Sequence, residues 1–166
     1  MKRSVLFLIA LTVVSTPLFA ASFKTANLDI SASVAANCTI TTGPVAFGAY
    51  DPVGANAAAD LLATGSVTVA CTKGSVTTID LGNGLPANFS GGSRRMASGT
   101  DFMNYALYKD AARTQVWGTG LVGGSTVAYN AASVVATAFT VYGTVPQAQN
   151  VSVGAYTDTV VATINY

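Results

Sequence analysis

Histidine and glutamate are absent from this 166-residue chain, and charge of either sign is scarce at 9% of residues. Enzymes draw most general acids, general bases and metal ligands from His, Glu, Asp and Cys. Here only seven Asp and two Cys remain. No Ser/Lys or Asp/Asp spacing points to a catalytic pair, and the chain is expected not to be an enzyme, with no metal and no cofactor. Asp51 before Pro52, and Asp110 at the head of "DAAR", have the setting of turn formers. Basic runs are missing too. After the first twenty residues Arg94-Arg95 is the sole basic pair, which excludes a nucleic-acid face and reads as part of a solvated loop. No apolar run reaches the eighteen residues of a membrane-spanning helix. With only Cys38 and Cys71, a metal site lacks ligands.

What is present begins with a leader. Lys2 and Arg3 precede the apolar stretch "SVLFLIALTVV". Pro17 and the small residues around Ala20 follow, so residues 1–20 have the three parts of a secretory signal peptide cleaved after Ala20. Removing it leaves one domain's length of chain, with six basic residues against seven acidic. In an exported chain an even cysteine pair favours a Cys38–Cys71 disulfide. On the chain-entropy model, closing a loop of that size stabilises a fold by roughly 4 kcal/mol. The triplets "NCT", "NFS" and "NVS" match the glycosylation acceptor pattern, which matters only in a eukaryotic secretory route.

Helical periodicity is lacking after the leader. Short alternating runs separated by turn signals take its place. Leu28, Ile30, Ala32, Val34 and Ala36 alternate with polar residues and predict a half-buried strand. "GSVTVACT" turns Val67, Val69 and Cys71 inward; "SVTTIDLGNG" does the same with Thr77, Ile79 and Leu81 and closes on the tight-turn pair Asn83-Gly84. "DFMNYALYKD" places Met103, Tyr105 and Leu107 on one face, and 102–118 reads as a hairpin. "STVAYN", "TAFTVYG" and "TDTVVATINY" complete the set, while 51–65 is the longest loop candidate, with room for one helical turn. About seven short strands at this spacing indicate an antiparallel β-sandwich. The last run carries Val160, Ala162, Ile164 and Tyr166 on one face. A strand so apolar is expected to lie inside a sheet with neighbours on both edges. The sequence shown offers no strand after it and one to spare before Cys38.

The order "ANCTI", "VTVACTKG", "LGNG…RRM", "YALYKDAARTQVWG", "VYGTVPQAQ" and "GAYTDTVVATINY" resembles the spore coat protein U family, the pilin domain of archaic chaperone–usher pili. The "LYKDAARTQVWG" and Gly-x-Tyr-x-Asp-Thr blocks are the specific parts. The resemblance implies an incomplete immunoglobulin-like sandwich completed by a donor strand from another subunit. It divides the chain into a signal peptide (1–20), a donor segment (21–36) and a pilin domain (37–166). Leu28, Ile30, Ala32 and Val34 would serve as plugs, and Val160, Ala162, Ile164 and Tyr166 would line the acceptor groove. The implied partners are identical or related pilin subunits, a periplasmic chaperone and an outer-membrane usher. The implied destination is the cell surface, by way of the periplasm, with a role in attachment and biofilm formation. The alternative is a self-contained secreted β-sandwich that coats a cell or spore or binds a ligand.

Overall fold

The computed structural model describes residues 21–166 apart from Pro86; the leader lies outside the described residues. The chain divides into two units, 1–33 and 34–166. In the first, residues 21–33 form no strand or helix, and Leu28 and Ile30 are 84% and 88% exposed. The half-buried strand that their alternation predicts is not formed here, because alternation sets which face a strand buries but supplies no partner.

The second unit is an antiparallel sandwich. Its eight described strands are β1 (Cys38–Gly43), β2 (Leu61–Cys71), β3 (Val76–Leu81), β4 (Arg94–Ser98), β5 (Asp101–Tyr108), β6 (Val127–Asn130), β7 (Thr137–Val145) and β8 (Ala162–Asn165). Five form one sheet in the order β1-β2-β7-β5-β4, and three form the other in the order β6-β3-β8. The inward residues follow the period-2 reading. Val67, Val69 and Cys71 of β2, Ile79 and Leu81 of β3, and Met103, Tyr105 and Leu107 of β5 are all buried, with Val141 and Val145 of β7 between them. Trp117 is fully buried and its indole N–H donates to Ile79 O at 3.0 Å, joining the sheets.

Cys38 and Cys71 stand directly opposite each other in the β1–β2 ladder and are joined in a disulfide. The 102–118 hairpin closes through the turn at Asp110, whose carboxylate accepts from the Thr114 and Gln115 amides. Three expectations need correction. Strand β2 begins at Leu61, so the preceding loop is shorter than 51–65, and it holds turns rather than a helical turn. Asn83-Gly84 does not make a two-residue hairpin; Gly84 adopts φ 85° inside a longer connection to β4. Arg94-Arg95 is no solvated loop. Both begin β4, and Arg94 is 1% exposed. Its Nε donates to Gly82 O (2.8 Å), and its Nη2 donates to Leu81 O (2.6 Å) and Trp117 O (2.9 Å). Two carbonyls at the end of β3 and that of Trp117 accept from the guanidinium, so the charge is tolerated inside.

Candidate functional site: an open groove along one side of the sandwich

Strand β1 ends the five-stranded sheet and β8 ends the three-stranded one. Beyond β1, residues 44–50 belong to no strand, yet Val45 and Phe47 stay half-buried at alternate positions, as does Tyr50 three residues on, while Pro44, Ala46 and Gly48 face out. Before β8, residues 156–161 repeat the pattern, with Tyr156, Asp158 and Val160 turned inward. The two segments form the walls of a groove. One section, about 400 Å³, runs over Val67, Leu81, Leu107 and Val141 beside Val160 and Ala162. A second, about 560 Å³, runs over Leu61, Met103 and Val145 beside Val151 and Tyr156. Val45, Phe47, Met96 and Tyr156 border both sections, so the two lie end to end along the same side of the sandwich.

Local sequence explains the walls. Gly65 and Gly143 lie on neighbouring strands of the floor, in β2 and β7. A Cβ on Gly65 would stand 2.6 Å from Val45 Cγ2, and one on Gly143 would stand 2.7 Å from Val45 Cγ1 and 2.8 Å from Phe47 Cζ. Only glycine lets these wall side chains settle so close to the sheet. Phe47 then meets Tyr105 edge to face, with ring centroids 6.3 Å apart.

The other wall is held by polar ties. Asp158 accepts from Tyr105 Oη (2.5 Å), Leu85 N (2.9 Å) and Asn88 Nδ2 (3.1 Å). Burial raises the Tyr105 pKa far above the ordinary phenol value, and the bond to Asp158 adds to it, so the hydroxyl remains a donor. Ala97 and Thr157 exchange two backbone bonds, at 2.9 and 3.0 Å. Nearer the open end, Ser152 N–H donates to Asp101 (3.1 Å), and bonds from Ser152 followed by one from Tyr156 hold that carboxyl below its usual range. Between the walls there is no ladder: the outer edge of β8 pairs with no described strand, and neither does that of β1. A groove of this kind has an apolar floor and two unsatisfied backbone edges. It is shaped for an extended peptide with apolar side chains at alternate positions.

The residues expected at the groove divide. Val160 and Ala162 line it. Ile164 is half-buried against the core, opposite Ile79 in the β3–β8 ladder, and Tyr166 is 59% exposed; neither borders the cavity. Ala32 and Val34 are exposed, like Leu28 and Ile30. Sequence reasoning missed Val45, Phe47 and Tyr50. The alternation of Val45 and Phe47 in "GPVAFGAY" was the available signal, masked by Pro44 and Gly48, which read as loop.

Fold and groove together define an immunoglobulin-like sandwich whose groove edges pair with no described strand. The Spore Coat Protein U domain matches residues 24–163, and the chain belongs to that family. "Protein U" of Myxococcus xanthus is 42% identical over 158 residues, covering 88% of this chain and 87% of the relative. Among solved structures, the chain resembles the crystal structure of the CsuC–CsuE chaperone–tip adhesion subunit pre-assembly complex, from archaic chaperone–usher Csu pili of Acinetobacter baumannii. The TM-score is 0.53 and the identity 21%, over 80% of this chain and 40% of that one.

Proposed function

We propose that this protein is a structural subunit of a surface pilus and polymerises by donor-strand complementation. The open groove carries the reading, because it is an apolar trough between two edges that pair with no described strand. The alternating segment 28–34 has the chemistry to fill it, and the similarity to a pilus subunit solved with its chaperone supports the same reading. Leu28, Ile30, Ala32 and Val34 of one copy enter the groove of the next and pack on its floor beside Val160 and Ala162. Ile164 and Tyr166 extend the same edge. Each buried Leu, Ile or Val contributes roughly 1.5–3 kcal/mol, and the new ladder adds to this. Until a neighbour arrives, a periplasmic chaperone fills the groove, and an outer-membrane usher exchanges one strand for the other. The chain is exported to the cell surface, is not an enzyme, and serves attachment and biofilm formation. The second reading, a self-contained secreted coat, is favoured by the family's description; groove edges that pair with no described strand count against self-containment.

The test moves the donor. Fusing residues 21–36 to the C-terminus through a short flexible linker, with the native copy deleted, raises the effective concentration of the strand at its own groove. The expected product is a soluble monomer that melts well above the plain deletion. A fusion no more stable than the deletion rejects the donor-strand reading.

A further inference from the structure

Two pairs of exposed valines sit at opposite ends of the domain. At one end the turn 72–75 lies against loop 131–136: Gly74 N–H donates to Ala131 O at 2.8 Å, and Ala131 N–H donates to Ser75 O at 3.0 Å. Val134 and Val135 stand on that loop, each 70% exposed. At the other end, Ala148 N–H donates to Asn56 O (2.8 Å) and Gln147 N–H to Asp60 Oδ1 (2.9 Å), tying together the loops that follow β1 and β7. Val53 and Val153 stand on those loops with their side chains in solvent. Strand β2 connects the two ends, and at about 3.3 Å per residue it sets them roughly 35 Å apart.

The start of the domain is fixed at the Val134–Val135 end. Thr72 N–H donates to Asn37 O (2.9 Å), Asn37 N–H donates to Thr72 Oγ1 (3.1 Å), and Thr72 Oγ1 donates to Ala35 O (3.2 Å). This inference rests on the donor-strand reading, in which Val34 is the last plug. Only Ala35 and Ala36 lie between Val34 and Asn37, and a fully extended chain covers those three steps in at most about 10 Å. No linker is left. Once Val34 sits in a neighbour's groove, the end that carries Val134 and Val135 lies against that neighbour. The contacted end is also determined. If the donor entered at the end where the acceptor's own segment leaves, both neighbours of every copy would crowd one pole, and the series of copies would not extend. The donor therefore enters from the Val53–Val153 end.

We infer that Val134 and Val135 of one copy pack against Val53 and Val153 of the next, a second contact beside the donor strand. Isolated exposed valines are ordinary on protein surfaces. These two pairs differ because the short tether carries each to the other.

Cysteine cross-linking of assembled polymers tests the contact. Val135→Cys and Val153→Cys in one chain should, on mild oxidation, give a ladder of covalent multimers on a non-reducing gel, while either substitution alone should give none. Val134→Cys with Val53→Cys provides the second pair. All four positions are exposed, so the fold is preserved. Polymers that form normally but yield no ladder from either pair overturn the inference and leave the donor-strand reading standing. Assembly that survives deletion of residues 21–36 overturns both.

Discussion

Replacing Arg94 by Met removes the fork that spans the two sheets while keeping an unbranched side chain of similar length. The carbonyls of Leu81 and Trp117 lose their donor at buried positions, and that of Gly82 loses its donor at a part-buried one. Each orphaned buried acceptor costs about 1–3 kcal/mol, so the three together cost about 3–6 kcal/mol once local relaxation is allowed. Removing the buried charge returns part of this, since burial lowers the Arg94 pKa from its ordinary value against the opposing pull of Tyr105, Asp80 and Asp158. A net loss of about 3 kcal/mol corresponds to a melting temperature lower by roughly 10 °C for a domain of this size. Arg94→Lys restores a donor and a charge without the planar fork, and should fall between wild type and Met. The assay is thermal unfolding of the exported protein followed by circular dichroism, with all three forms in the same buffer. Leu81 belongs to the groove floor, so the Met variant should also capture a peptide of residues 21–36 less well. A Met variant that melts within about 2 °C of wild type would refute the reasoning, because at that scale the carbonyls have found other partners.

Native peptide mapping should recover Cys38 joined to Cys71, and thiol reagents should not label the folded protein; removing the bridge should cost about 2–5 kcal/mol in unfolding. Gly143→Val places methyl groups where Val45 and Phe47 lie, so it should push that wall into the trough and abolish uptake of the 21–36 peptide; unchanged uptake would show that the wall is not the barrier. The Asp101 and Asp110 carboxyls have pKa values below their usual range, so their stabilising effect is present above about pH 4 and disappears as the pH falls through the lower folded value. Melting temperature should therefore drop on acidification below that point, and Asp101→Asn should flatten the drop.

Period-2 alternation made the core legible. Every inward residue assigned to β2, β3 and β5 is buried, because a strand with one wet face has a single register that hides its apolar set. The apolar residues of the last run were legible for the same reason, although only Val160 and Ala162 reach the cavity. Arg94 was not legible. Nothing local distinguishes an arginine in water from one whose three acceptors come from residues 81, 82 and 117. The wall at 44–50 was hidden because Pro44 and Gly48 read as loop and because these residues pair with no described strand, so no ladder marks them. Gln149 is a related case. Its side-chain amide accepts from Asn104 N–H (2.7 Å) and donates to Asn104 O (2.9 Å), taking the place of a strand residue in a way no propensity anticipates.

The disulfide at the head of β1 has a mechanical consequence. In the filament proposed above, tension would enter each domain through residues 35–37 and reach Cys38 first. An edge strand pulled from its end unzips one hydrogen-bonded pair at a time, which takes little force. With Cys38 bonded to Cys71, the pull passes directly into β2, which is paired with β1 on one side and over nine residues with β7 on the other. That array can yield only by shearing many bonds at once, so the covalent link changes β1 from a strip that peels into an anchor.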